Sequence, residues 1–195
     1  MRSIHVGGTR TRPGAGGGCR CGARTPRGRR RTLQGVTEAP ADGERTLLVV
    51  HHTPSPSTRE LLEAVLAGAH DPDIAGVRVR TVPALGATVP DVLAADGYVF
   101  GTTANFGYMS GALKHFFDTV YYPCLDAVAG RPYGLWVHGN NDTAGAVASV
   151  RKLVTGLALA QVTQDLEITG PIDAKVRERC YELGATVAVS VSPEV

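Results

Sequence analysis

Three short polar segments hold the residues whose types and spacing suit chemistry: Thr53-Pro54-Ser55-Pro56-Ser57-Thr58, Thr102-Thr103-Ala104-Asn105-Phe106-Gly107-Tyr108 and Gly139-Asn140-Asn141. They supply hydroxyls, carboxamides, backbone N–H groups and flat aromatic surface. That is equipment for binding and orienting a ligand, and no catalytic side chain is expected from it. The first segment runs into a helical pattern, and hydroxyls ahead of a helix N-terminus form a phosphate cradle, with free amides and a favourable dipole. Pro54 and Pro56 remove two amide donors there. The simpler role for Ser57 or Thr58 is that of a helix cap. In the second segment Phe106 and Tyr108 flank short polar groups, a combination that suits a planar ring with hydrogen-bonding edges. The third, continued by Asp142-Thr143, is also ordinary turn and cap composition. No Gly-Lys-Ser/Thr follows the first strand, which excludes a nucleoside triphosphate loop, and no G-x-S-x-G elbow of a serine hydrolase occurs.

The elements that must position these segments are legible from hydrophobic pattern. Thr46-Leu47-Leu48-Val49-Val50-His51 is a near-continuous apolar run, the signature of a parallel strand covered on both faces. A helical pattern with Leu61, Leu62, Val65 and Leu66 follows the first polar segment. Val77 to Val82 alternates as an edge strand would, and Asp91 to Ala95 reads as a short helix. A third strand is expected at Gly97–Gly101, with the second polar segment as the loop after it. Ser110 then caps a helix from about Gly111 to Ala127, in which Leu113, Phe116, Phe117 and Val120 recur at helical spacing. A fourth strand is expected at Arg131–His138, a helix from Ala144 to about Leu159, a fifth strand near Val162–Ile168 and a last helix over Ala174–Val189. Lys114 and His115 are expected on a polar helix face and Cys124 in packing. Strand and helix alternate throughout, so an α/β doubly wound parallel sheet follows. In such sheets ligands bind beyond the carboxyl ends of the strands, where all three polar segments fall.

Phe106-Gly107-Tyr108-Met109-Ser110-Gly111, with Leu113-Lys114 through Asp118, resembles the isoalloxazine-binding loop of flavodoxin-like NAD(P)H oxidoreductases. That superfamily includes NADPH-dependent FMN reductases and NAD(P)H:quinone oxidoreductases. The likeness covers about Thr46 to Val189. This chain departs from it in having Thr102-Thr103 where the loop commonly opens with proline or Pro-Thr. The resemblance implies a flavodoxin-like five-stranded parallel sheet of order 2-1-3-4-5. It implies FMN with its phosphate on Thr53, Ser55, Ser57 and Thr58. The ring would lie against Thr102, Thr103, Ala104, Asn105, Phe106, Gly107 and Tyr108, with Gly139, Asn140 and Asn141 along its edge. It further implies NAD(P)H as hydride donor, a quinone, free flavin or other small molecule as acceptor, and a homo-oligomer, dimer or tetramer. Two other functions share parts of this pattern: a flavodoxin-type electron carrier, and a flavin-free binding module with a nucleic-acid-binding arm.

Charge divides the 195 residues in two. Residues 1–45 hold ten of the twenty basic residues and three of the eighteen acidic ones, all ten basic residues being arginine. This lead is rich in glycine and has almost nothing aliphatic to bury, so it is expected to be disordered. Its arginines suit phosphate, but it lacks the interleaved aromatics of base stacking, and nucleic acid is not among the expected partners. Residues 46–195 are the expected FMN-binding domain. Arg29-Arg30-Arg31 is not followed by the apolar run of an export signal, and no stretch reaches the roughly 18 apolar residues of a membrane helix. The four cysteines form neither a zinc pattern nor a disulfide framework. A cytoplasmic protein without metal is therefore expected.

Overall fold

The structure, a computed structural model, describes residues 43–194. The arginine-rich lead, apart from its last three residues, lies outside the described residues, as do the expectations made for it. In chain order the elements are β1 (Arg45–His51), α1 (Pro56–Ala69), β2 (Val77–Pro83), α2 (Val89–Ala94), β3 (Gly97–Asn105), β4 (Tyr108–Met109), α3 (Gly111–Cys124), β5 (Pro132–Gly139), α4 (Ala144–Gly156), β6 (Ala160–Gln161), β7 (Leu166–Thr169) and α5 (Ala174–Val191).

Apolar residues fill β1 because it is buried on both sides. Successive side chains of a strand point to opposite faces. Leu47 and Val49 accordingly pack with Val99, Trp136 and residues of α1 and α5, whereas Leu48 and Val50 pack with Tyr98, Phe100, Leu135 and residues of α3 and α4. Phe100 sits at the centre of the second layer, with ring contacts to Tyr98, Phe116, Phe117 and Tyr133. The parallel path through the sheet is β2-β1-β3-β5-β6, with β7 also parallel to β5 and β4 antiparallel to β3. Counted by its principal strands this is the flavodoxin-like order 2-1-3-4-5.

Two strands differ from the sequence reading. The fifth is broken: Ala160–Gln161 and Leu166–Thr169 pair with β5 separately, and the polar stretch between them leaves the ladder. There the Asp165 carboxylate accepts from Arg151 Nε at 2.5 Å and Gln161 Nε2 at 2.9 Å, an arrangement that a straight run over 162–168 does not allow for. The third strand is longer than expected. Thr102, Thr103 and Ala104 belong to it, because Gly101, Thr102 and Thr103 pair with Trp136, Val137 and His138.

Helices α1 and α5 touch backbone to backbone. A Cβ at Gly68 would overlap the Tyr181 carbonyl, and one at Gly184 would overlap the Val65 carbonyl. Alanine gains about 1 kcal/mol of helix propensity over glycine, while overpacking costs about 1–3 kcal/mol. Because the obstacle is backbone, which cannot rotate aside, the cost falls in the upper part of that range, and Gly68→Ala and Gly184→Ala should each lower stability by up to about 2 kcal/mol net. A fall in the urea midpoint at unchanged slope checks this; an unchanged or raised midpoint contradicts the close crossing.

Candidate functional site

The three central strands end side by side. His51, Gly101 and Trp136 form one row across β1, β3 and β5, and the polar segments leave the sheet just beyond it. A Cβ at Gly101 would fall inside the Trp136 indole. The bare glycine therefore lets the indole lie flat across β3.

In the first segment the helix cap is Ser55, not Ser57 or Thr58. Ser55 Oγ accepts from the Thr58 amide at 3.3 Å, and Thr58 Oγ1 accepts from the Ser55 amide at 3.1 Å while donating to the Ser55 carbonyl at 2.9 Å. This is a capping box with threonine in the reaching position. Thr58 is buried and its hydroxyl is engaged in this cap. Pro56 has no N–H, so the first-turn amide left without a partner is that of Ser57, beside an exposed Ser57 hydroxyl. Thr53 is half-buried, with Oγ1 3.0 Å from His51 Nδ1.

The second segment is a hairpin where a loop was expected. Ala104 pairs with Met109 and Asn105 with Tyr108, leaving Phe106 and Gly107 as a two-residue turn. Both have positive φ, 52° and 75°, the pattern of a turn whose twist suits a β-hairpin. Glycine accepts that freely, but a bulky residue such as Phe106 does so only under local strain. Phe106 is nonetheless fully exposed and Tyr108 is 45% exposed. The hairpin is held from behind: the Met109 amide donates to Ser149 Oγ at 3.2 Å, and Gly145 has no Cβ to strike the Gly107 carbonyl. Thr102 is entirely buried. Its hydroxyl donates to Ser110 Oγ at 3.0 Å and accepts from the Ser110 amide at 3.2 Å, while Ser110 Oγ accepts from the Leu113 amide and caps α3. The side chain of Thr102 therefore ties β3 to the start of α3. Lys114 pairs with Asp118 on the outer face of α3, and Cys124 is buried with burial raising its pKa.

The third segment lies against the second. A Cβ at Gly139 would stand 3.1 Å from that of Ala104, so the two loop bases touch, and Asn140 and Asn141 are exposed beyond them. Asp142 Oδ1 accepts from the Ala144 amide at 2.9 Å, and Thr143 Oγ1 donates to Glu167 Oε2 at 2.6 Å. The structure thus brings the hairpin and Gly139–Asn141 together on one edge. It places Thr53, Ser55 and Ser57 at the end of the neighbouring strand.

Sequence reasoning missed Ser149 and Glu167, which reach these segments from distant elements. It also gave no role to His51 and His52. Burial lowers the pKa of both histidines, and the neighbouring His52 lowers that of His51 further. His52 Nδ1 and Thr103 Oγ1 are buried without a hydrogen-bond partner. Such atoms are rare in native proteins. With the Ser57 amide and exposed ring faces, they give the edge donors and flat surface that fit a phosphate-bearing flavin.

The sequence model of the NADPH-dependent FMN reductase family matches residues 45–169. The chain belongs to that family. This member of the FMN reductase family has a flavodoxin-like fold. A flavodoxin from Aquifex aeolicus is 38% identical over 74 residues, 38% of this chain and 39% of that protein, so the match covers under half of the relative. Among solved structures, a Streptococcus pneumoniae TIGR4 flavodoxin is 17% identical, with 75% of this chain and 99% of that one covered and a TM-score of 0.64. An oxidoreductase from Corynebacterium diphtheriae is 21% identical, with 78% and 99% covered and a TM-score of 0.59.

The cap assignment makes a direct prediction. Ser55→Ala should cost about 1 kcal/mol of stability, whereas Ser57→Ala, at an exposed hydroxyl, should change it by less than about 0.5 kcal/mol. Equal losses in denaturant unfolding would contradict it. The histidines make another. A histidine whose folded pKa lies below its unfolded 6.5 binds fewer protons in the folded state, so its stabilising contribution is full above pH 6.5 and declines as pH falls towards the folded value. Replacing His51 and His52 by glutamine should flatten the fall of melting temperature below pH 6.5. An unaltered pH profile would contradict their neutral, buried state.

Proposed function

We propose that this chain binds FMN along the carboxyl edge of β1, β3 and β5 and catalyses electron transfer from NAD(P)H to a quinone, free flavin or other small acceptor. The observation that carries the reading is the docking of the Asn105–Tyr108 hairpin against α4 at Gly145, beside Gly139–Asn141. It makes one shelf from two loops, with aromatic surface on the outside. FMN, when bound, supplies the redox chemistry, the passage of two electrons from a nicotinamide to an acceptor.

The residues of the chain bind and orient. The amide and hydroxyl of Ser57, with Thr53 and Ser55 nearby, hold the phosphate end at the positive end of the α1 dipole. Thr103, Ala104, Asn105, Gly107 and Gly139–Asn141 meet the ring by its edges. Phe106 and Tyr108 offer apolar faces at its rim. Thr102 and Ser110 fix the hairpin to the start of α3. Orientation is the main catalytic contribution, since reacting atoms must be held in near-attack geometry. No side chain is assigned as proton donor or nucleophile. A homo-oligomer and a cytoplasmic location accompany this reading; among the described residues no helix is long and apolar enough to cross a membrane.

A flavodoxin-type electron carrier is the second reading, favoured by the 38% identity to the Aquifex aeolicus flavodoxin. Anaerobic stopped-flow absorbance separates the two. FMN bound to the protein should be bleached by NADH or NADPH and should recover when quinone is added. Gly145→Ala, which pushes on the Gly107 carbonyl, should slow bleaching by at least about 10-fold while chemical reduction of bound FMN proceeds normally. If neither nicotinamide bleaches it above the protein-free rate, the carrier reading replaces the reductase.

A further inference from the structure

One helix end braces both the Asn105–Tyr108 hairpin and the Gly139–Asn141 segment. On the hairpin side, Gly145 leaves room for the Gly107 carbonyl and Ser149 Oγ accepts from the Met109 amide at 3.2 Å. On the other side the chain folds back tightly before α4. A Cβ at Gly139 would stand 2.8 Å from the Asp142 carbonyl oxygen and 3.1 Å from Thr143 Cγ2. The start of α4 therefore carries two segments that are far apart in sequence. Thr143, the residue just before this helix, is buried, and its Oγ1 donates to Glu167 Oε2 at 2.6 Å. That length is typical of a hydroxyl bound to an ionised carboxylate, a stronger bond than one between neutral groups.

Glu167 stands on β7, level with Val137 of β5. Side chains at one level of adjacent parallel strands share a face of the sheet. Val137 packs in the layer that holds Ala146, Val147 and Val150 of α4, so Glu167 rises on the α4 side. It belongs to none of the three polar segments, and among the described residues it makes no ion pair. We propose that Glu167 is a positioning residue for the flavin ring: through Thr143 it fixes the start of α4 to the sheet, and that helix end sets the hairpin and Gly139–Asn141 at the spacing the ring requires. The inference rests on the reading of these two segments as the ring side of an FMN site, and adds to them a residue from β7. The hydrogen bond does the positioning, and the charge serves only to strengthen it. Glu167 acts on the ring side, away from the first turn of α1, so its effect is the same on riboflavin as on FMN.

Three variants separate bond from charge. Thr143→Val keeps the shape and removes the hydroxyl, Glu167→Ala removes the acceptor, and Glu167→Gln removes the charge while keeping an oxygen that accepts the hydroxyl. By flavin fluorescence, Thr143→Val and Glu167→Ala should each weaken FMN and riboflavin by the same factor, about 10-fold. With FMN saturating, both should slow its bleaching by NADH or NADPH about 10-fold or more, because the ring is held out of near-attack geometry. Glu167→Gln should recover most of both losses. Wild-type binding and bleaching in Glu167→Ala, or a Glu167→Gln as impaired as Glu167→Ala, overturns the inference and leaves the flavin reading standing. A loss confined to FMN also overturns it, since the effect would then lie at the phosphate end. If Thr143→Val does not fold, the two Glu167 variants decide. A wild-type chain that binds flavin but is reduced by neither nicotinamide removes the reductase reading, and the binding losses alone then decide the inference. A wild-type chain that binds neither flavin overturns both.

Discussion

The packing of Trp136 on Gly101 is the contact on which the site depends. β3 lies between β1 and β5, and a side chain at Gly101 would force the indole away from the row that aligns all three strands. With that row fixed, the three polar segments emerge at one level. Aligned ends turn three loops, far apart in sequence, into one surface. The fold thereby converts an ordinary requirement, a filled core beneath the sheet, into a positional one.

Two hydroxyl devices carry that positioning outward. Ser55 and Thr58 close the first turn of α1 on themselves and leave the Ser57 hydroxyl exposed beside them. Thr102 and Ser110 tie the end of β3 to the start of α3, so the intervening hairpin is anchored at both its roots. The strain of Phe106 at positive φ is tolerated between such anchors, and Ser149 adds a third from α4. Residues that look like binding groups by type are thus divided between those spent on internal hydrogen bonds and those left exposed. Short polar side chains serve both ends, and only their partners tell which.

This division explains what was legible in the sequence. The apolar runs at Leu47–Val50 and Leu135–Val137 fixed the buried parallel strands, because burial on both faces leaves few alternatives to aliphatic residues. The cap at Ser110 was legible because serine sits directly before a helical apolar pattern. The cap at Ser55 was not, since four hydroxyl residues crowd that turn and any of three could serve. The extension of β3 through Ala104 was hidden by its polar composition: Thr102 and Thr103 are strand formers, but they follow a glycine and precede an asparagine. The break near Asp165 depends on Arg151 from another element, and no local pattern encodes such a partner. The same holds for Ser149 and Glu167.

The central claim is that β1, β3 and β5 end in one flavin site. Amide hydrogen exchange, residue by residue, with and without FMN, tests it most directly. The account predicts that FMN slows exchange together at Ser57, in the Thr103–Tyr108 hairpin and at Gly139–Asn141, while the α1–α5 contact around Gly68 and Gly184 is unaffected. Protection confined to one of the three segments, or absent from all of them at saturating FMN, would contradict it.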